Sequence, residues 1–241
     1  MRKARGGILV ALDTTDLEQA RAWARATAGS VAGLKLGLEF FTAQGPAGVR
    51  RVAEAGAPIF LDLKFHDIPN TVAGAIRGVA PLAPAIVNVH AAGGAAMLRA
   101  AADAAGDAAA KLGVPPPKVI AVTVLTSLAD DDLVAVGQPG GAAEQVRRLA
   151  ALSRECGLDG VVCSPHEIAP LRRDLGGDFL LVTPGVRPVW AASGDQKRVM
   201  TPAEAAAAGA DYLVVGRPIT GAADPAEAAR RIAQEITSVA A

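Results

Sequence analysis

The segment Leu61–Thr71, with the sequence LDLKFHDIPNT, begins as an apolar strand and then takes up charged residues. Successive side chains of a strand alternate between its two faces, so a regular strand points Asp62 and Lys64 the same way. A carboxylate and an ammonium group on a buried face are costly to desolvate unless they are paired. Their position at the C-terminal end of an apolar strand therefore indicates chemistry more than scaffolding.

Seven further short, apolar segments recur at intervals along the chain, and alanine-rich segments with helical spacing lie between them. The candidate strands are Ile8–Leu12, Ala32–Leu36, Ile59–Leu63, Ile86–His90, Val119–Val124, Gly160–Cys163, Phe179–Thr183 and Tyr212–Val215. The helix candidates include Leu17–Ala28, Ala47–Ala55, Thr71–Ala80 and Ala143–Glu155. Several strands are continuously apolar, as expected for strands buried on both faces.

Eight strand-then-helix units in 241 residues predict an α/β fold, a (β/α)8 or TIM barrel, as one domain over residues 1–241. A doubly wound open sheet is the structural alternative. It is disfavoured because no GxGxxG sequence follows the first strand, where a dinucleotide-binding fold would need it.

The overall composition argues against binding to nucleic acid or to a membrane. Lys and Arg together number 24, and Asp and Glu also number 24, so no net charge attracts nucleic acid or an anionic membrane. No apolar run approaches membrane-spanning length, and the run after the basic start is too short for a signal peptide. Two cysteines, Cys156 and Cys163, are too few for a disulfide framework or a metal cluster. We expect a reduced, cytoplasmic protein.

Polar residues follow the predicted strands at the end where barrel enzymes have their active sites. They are Asp13 after the first strand, Lys35 in the second, Asp62 and Lys64 in the third, Asn88 and His90 in the fourth, Thr123 and Thr126 after the fifth, Pro184 and Arg187 after the seventh, and Gly216 and Arg217 after the eighth. Their shared position predicts one site at this rim.

The four residues Lys35, Asp62, Lys64 and Asp67 alternate in charge on adjacent predicted strands. A structural ion-pair network at the mouth of the barrel is one interpretation. The other is catalytic, because carboxylates keep a buried lysine charged and a rigidly held, protonated lysine is a proton donor. Clustering on the rim favours the catalytic interpretation.

Three further residues have competing interpretations. Asp13 either binds a ligand hydroxyl or joins the charged array, or it is the N-cap of the first helix, in competition with Thr14, Thr15 and Asp16. We expect His66 to be a loop histidine that packs or pairs locally. His90 is a possible metal ligand, but no partner with suitable ligand spacing lies nearby, so no metal site is predicted.

The loops after the seventh and eighth predicted strands favour a phosphate site. Gly216 would let backbone N–H groups approach an anion, and Arg217 could hold the anion through two hydrogen bonds. Arg187 and Gln196 lie on the neighbouring loop. The alternative is a glycine-rich turn with a solvated arginine.

The segment DxKxxDIPNT at Asp62–Thr71 resembles the signature of the orotidine 5′-monophosphate decarboxylase family. The DxKxxD part alone is shared with related phosphosugar lyases. The resemblance extends over essentially the whole chain through ALD at Ala11–Asp13, LKLG at Leu34–Gly37, VHAAGG at Val89–Gly94, VTVLTS at Val122–Ser127, TPGVRP at Thr183–Pro188, DQKR at Asp195–Arg198 and VGRPI at Val215–Ile219.

The resemblance implies decarboxylation of orotidine 5′-monophosphate to uridine 5′-monophosphate, the last step of de novo pyrimidine synthesis, without metal or cofactor. It implies that Lys64 stabilises charge at C6 and delivers the proton, with Asp62 beside the departing carboxylate. It also implies a homodimer in which Asp67 and Thr71 enter the partner's site. The implied substrate-binding residues are Asp13, Lys35, Asp62, Thr71, Thr126, Ser127, Pro184, Arg187, Gln196, Gly216 and Arg217.

Two other functions compete. A magnesium-dependent phosphosugar lyase would carry DxKxxD, but the resemblance implies an acid where this chain has Lys35, and no IPNT. A non-catalytic nucleotide-binding barrel would need Arg217 and Gln196 but not Asp62 with Lys64. The chain has both sets of residues, which favours the decarboxylase.

Overall fold

The computed structural model describes residues 6–138, 140–191 and 200–240. Its strands are β1 Gly7–Ala11, β2 Gly33–Gly37, β3 Ile59–Phe65, β4 Ile86–His90, β5 Lys118–Val122, β6 Gly160–Val162, β7 Leu180–Pro184 and β8 Tyr212–Val215. They form a closed barrel in the order β1-β2-β3-β4-β5-β6-β7-β8. The predicted (β/α)8 barrel is confirmed.

Helices alternate with the strands. They are α1 Leu17–Thr27, α2 Leu38–Ala53, α3 Pro69–Val79, α4 Gly94–Leu112, α5 Asp130–Ala135, α6 Ala142–Glu155, α7 Ile168–Leu175, α8 Pro202–Ala208, α9 Arg217–Thr220 and α10 Pro225–Ala240. Among the described helices, none is both long and apolar enough to span a bilayer.

Most element bounds agree with the sequence-based prediction to within two residues. The main difference in the helices is α2, which begins at Leu38, before the expected start at Ala47. Gly45 interrupts this helix with a φ of 59°, and Pro46 follows it. Glycine tolerates this left-handed conformation and proline suits a helix start, so the chain turns and resumes as a helix.

The apolar strands supply the core. Every residue of β2 is buried, and so are Ile8–Ala11 of β1. Parallel pairing joins β1 to β2 and β8, and β2 to β3. Since the carboxyl ends of parallel strands lie at the same end of a barrel, the polar residues that follow these strands belong to one rim.

The chain divides into two compact units. The first comprises Met1–Leu63 and Val182–Ala241 and contains β1, β2 and β8 with α1, α2, α8, α9 and α10. The second comprises Lys64–Leu181 and contains β4, β5 and β6 with α3 to α7. The interpretation of residues 1–241 as one domain stays a prediction.

Candidate active site

Three charged side chains of the first unit form a carboxylate–ammonium–carboxylate cluster, Asp13–Lys35–Asp62. The Nζ of Lys35 donates to Oδ1 of Asp13 at 3.0 Å and lies 3.3 Å from Oδ2 of Asp62. The Lys35 side chain is 9% exposed, that of Asp62 is 13% exposed and that of Asp13 is 57% exposed. The cluster therefore runs from solvent into the protein interior.

The register of β2 against β3 explains this geometry. Lys35 is paired with Phe60 and Gly37 with Asp62, so the two charged side chains lie on adjacent strands near the same end. Gly37 leaves space beside Lys35 and Asp13. A Cβ at this position would lie 3.2 Å from Nζ of Lys35 and 3.7 Å from Oδ1 of Asp13.

The capping interpretation of Asp13 is wrong, because Asp16 caps α1. The Oδ1 of Asp16 accepts hydrogen bonds from the backbone N–H groups of Glu18 at 2.8 Å and Gln19 at 3.1 Å. Asp13 instead pairs with Lys35. Either aspartate could have capped the helix by its spacing alone, and the position of Lys35 separates their roles.

Lys64 lies inside β3 with a φ of 50°, in the left-handed region. Its backbone N–H donates to Oδ1 of Asn88 at 2.8 Å. The expectation that Asp62 and Lys64 share a face assumed regular strand geometry, and this φ shows that the strand is not regular at Lys64. From the sequence, Asn88 was predicted only as a polar residue near a strand end. The amide stands out because it lies within the otherwise apolar segment IVNV of β4.

The rings of His66 and His90 lie near each other in the second unit, with centroids 5.5 Å apart and planes tilted by 33°. This contact agrees with the expectation that His66 packs locally. Among the residues that the structure describes, no group of three or more His, Cys, Asp or Glu side chains could hold a metal ion.

Asp67 and Thr71, the residues expected to serve a partner subunit, are exposed on this chain. Oδ1 of Asp67 accepts a hydrogen bond from the N–H of Ile68 at 2.6 Å, and Thr71 lies in the first turn of α3. Thr126 and Ser127, expected at the pyrimidine, are exposed beyond the end of β5. Their expected roles stay predictions.

The predicted phosphate residues of the first unit follow β7 and β8. A Cβ on Gly216 would lie 3.5 Å from Cβ of Ala11 and 4.0 Å from Oδ2 of Asp13, so the backbone after β8 adjoins the charged cluster. Arg217 is exposed at the first residue of α9, whereas Arg187 is half-buried and its N–H donates to the carbonyl of Met200 at 3.1 Å.

Pro184 and Gln196 are the remaining predicted substrate-binding residues, and Gln196 was expected to contact phosphate. Pro184 is the last residue of β7 and is half-buried. Gln196 lies outside the described residues. Its expected contact with phosphate therefore stays a prediction.

The closed parallel barrel places the chain among the (β/α)8-barrel proteins, and the Lys35–Asp62 pair near the carboxyl ends of β2 and β3 lies where enzymes of this class have their active sites. Within this class, the chain belongs to the orotidine 5′-phosphate decarboxylase / HUMPS family, whose sequence model matches residues 7–232.

Similar proteins cover nearly the whole chain. The orotidine 5′-phosphate decarboxylase of Rhodospirillum rubrum is 64% identical over 230 residues, which are 95% of this chain and 93% of the relative. That of Paramagnetospirillum magneticum is 58% identical over 229 residues, 95% of this chain and 97% of the relative. The crystal structure of orotidine 5′-phosphate decarboxylase from Lactobacillus acidophilus matches with a TM-score of 0.85 at 39% identity, covering 95% of this chain and 98% of that chain.

Proposed function

We propose that this chain is a carboxy-lyase that converts orotidine 5′-phosphate to uridine 5′-phosphate and CO2, the last step of de novo pyrimidine synthesis. The observation that carries the proposal is the Lys35–Asp62 ion pair between β2 and β3, in which Asp62 lies two residues before Lys64 in the sequence. The matching family and the names of the similar proteins support it.

The chemistry explains why a lysine is needed. Breaking the C6–carboxylate bond leaves an electron pair in an in-plane orbital of C6, orthogonal to the π system of the ring. The ring therefore offers no ordinary electron sink, and a positive charge fixed beside C6 must stabilise the pair. The ammonium of Lys64 supplies this charge and then donates a proton to C6, which leaves a neutral lysine that is reprotonated from solvent.

The Asp13–Lys35–Asp62 cluster would contact the leaving carboxylate and the ribose of the substrate. Asp62 would lie against the carboxylate that leaves, and its ion pair with the Lys35 ammonium orients the Asp62 side chain. Asp13 is about half exposed and already accepts a hydrogen bond from Lys35, so it can take a second hydrogen bond from a ribose hydroxyl. We assign Asp13 and Lys35 to the ribose on this basis.

The phosphate assignment rests on the residues that follow β7 and β8. Among the described residues, Arg187 follows β7 and Arg217 follows β8 as cations, and Gly216 brings the backbone close to Asp13. Phosphate held at a distance from C6 contributes binding energy that can drive closure around the reacting ring. Gln196 is included in this proposal by its position in the sequence.

The proposed assembly is a homodimer with shared sites, in which Asp67 and Thr71 approach the partner's substrate. Both residues are exposed on this chain, which leaves them available for such a contact. We also propose a cytoplasmic location. Cys156 and Cys163 are both buried and neither is in a disulfide, as is usual for proteins of a reducing compartment.

The test is an assay of the purified protein with orotidine 5′-phosphate in the presence of a chelator, followed by the loss of substrate absorbance. We expect full turnover without added metal. Dependence on Mg²⁺ would favour the phosphosugar-lyase alternative, and absence of turnover with and without Mg²⁺ would favour a nucleotide-binding barrel.

Two substitutions test the assigned roles. Lys64→Ala should abolish turnover, whereas Arg217→Ala should mainly raise KM. Lys111→Ala and Arg50→Ala are matched controls because both residues are exposed on helices, α4 and α2. Full activity of Lys64→Ala would refute the mechanism.

Subunit mixing tests the shared site. Lys64→Ala and Asp67→Asn, each inactive alone, should regain activity when the two variants are unfolded, mixed and refolded together. A mixed dimer carries both defects in one site and none in the other, so about one quarter of all sites should be intact at equal mixing. No recovery would place Asp67 in the site of its own chain.

A further inference from the structure

The backbone of Lys64 adopts a conformation that residues with a side chain rarely hold. Among the described residues, Lys64 and Ala83 are the non-glycine residues with positive φ, at 50° and 48°. Ala83 ends a short helical turn, where the left-handed region is common. Lys64 lies within a strand, where this conformation is unfavourable and persists only if surrounding contacts hold it.

One contact that restrains this backbone comes from Asn88 on β4. The Oδ1 of Asn88 accepts the hydrogen bond of the Lys64 N–H at 2.8 Å, and Asn88 is 0% exposed. Its neighbours Val87 and Val89 are also 0% exposed. An amide in such surroundings is costly to bury unless it is hydrogen-bonded, which makes the Asn88–Lys64 bond difficult to exchange for water.

We propose that Asn88 is a positioning residue for Lys64. It acts through the backbone: the hydrogen bond fixes the N–H direction at the left-handed φ, and this φ sets the direction in which Cα–Cβ leaves the chain. Without the acceptor, the Lys64 backbone loses this restraint on φ, and a shift of φ toward the ordinary strand region turns the side chain in another direction. The inference rests on the proposed function, in which Nζ of Lys64 must lie beside C6.

The test compares variants that differ in the acceptor at position 88. Asn88→Leu keeps a side chain of similar size and removes the acceptor, whereas Asn88→Asp keeps an oxygen in place. A misplacement of about 1 Å costs on the order of 100-fold in rate, so kcat of Asn88→Leu should fall about 100-fold while KM changes less than about threefold. Asn88→Asp should recover kcat to within about tenfold of the wild type.

Ser153→Ala controls for the general loss of a buried hydrogen bond. Ser153 is 0% exposed on α6, and its hydroxyl donates to the carbonyl of Leu149 at 2.8 Å, within the same compact unit. This variant should lose thermal stability with kcat unchanged. If Asn88→Leu does not fold, Asn88→Ala removes the acceptor without adding volume and provides the same comparison.

The outcomes separate the inference from the proposed function. Wild-type turnover with a selective loss of kcat in Asn88→Leu and recovery in Asn88→Asp supports both. If the wild type is active and folded Asn88→Leu or Asn88→Ala has an unchanged kcat, the positioning role alone is overturned. The same holds if folded Asn88→Asp does not regain kcat. A wild type that does not decarboxylate orotidine 5′-phosphate overturns both.

Discussion

Lys35 forms two ion pairs, one with Asp13 and one with Asp62, that differ in both distance and burial. Lys35 contacts Asp13 at 3.0 Å and Asp62 at 3.3 Å, but the Asp13 side chain is 57% exposed and that of Asp62 is 13% exposed. The shorter pair is therefore the more solvated one. We predict that Lys35 is coupled more strongly to Asp62, the more distant carboxylate, than to Asp13.

The magnitudes follow from the dielectric surroundings. At 3.3 Å and an effective dielectric constant of about 20, Coulomb's law gives about 5 kcal/mol for the Lys35–Asp62 pair. At 3.0 Å and the dielectric constant of water, about 80, it gives about 1.4 kcal/mol for Lys35–Asp13. Allowing for desolvation and side-chain entropy, we expect coupling free energies of about 3 kcal/mol and below about 1 kcal/mol, respectively.

Two double-mutant cycles measure these couplings. One combines Lys35→Met with Asp62→Asn, and the other combines Lys35→Met with Asp13→Asn. The readout is the free energy of unfolding in urea at neutral pH and at a fixed protein concentration. A Lys35–Asp13 coupling equal to or larger than the Lys35–Asp62 coupling would show that distance outweighs burial here, and the reasoning would be wrong.

Two further substitutions test local geometry. Gly37→Ala places a methyl group 3.2 Å from Nζ of Lys35, so kcat/KM should fall about tenfold while the free energy of unfolding changes by less than about 1 kcal/mol. The control Gly106→Ala, inside α4 with nothing within 4 Å of the added methyl group, should leave kcat/KM unchanged. An equal loss of activity in both variants would contradict this. Hydrogen bonds from Thr201 hold the pKa of the Glu204 carboxyl below its ordinary value. The stability that they supply is present at neutral pH and lost as pH falls through the lowered pKa, so the wild type should lose more thermal stability than Glu204→Gln between neutral pH and about pH 3.5. Parallel losses in the two proteins would exclude this contribution.

The bounds of several strands of the barrel were predictable from local sequence patterns. β4 at Ile86–His90 and β8 at Tyr212–Val215 have the predicted bounds, because short apolar runs bounded by turn residues specify a buried strand. The start of α2 was not predicted, because the kink at Gly45 resembles the end of a helix in sequence. Local sequence signals do not distinguish a turn that ends a helix from a kink after which the helix continues.

Of the predicted charged rim, Asp13, Lys35 and Asp62 lie together in the structure, but the sequence did not predict which of them pair. Its residues follow predicted strands, so a barrel brings them to one end whatever their exact contacts. That Asp13 pairs with Lys35 and leaves the capping of α1 to Asp16 depends on the positions of side chains 22 residues apart. Both aspartates are suitable caps by composition, so only the folded chain separates them.

By itself, the sequence determined the alternation of strands and helices and the barrel, because these follow from periodicities within each segment. Only the tertiary structure decided the conformation of Lys64. Nothing in the segment LDLKF indicates a left-handed lysine, since the group that stabilises it, the Asn88 amide, lies 24 residues away on another strand. A contact between strands depends on their register, and register is a property of the whole barrel.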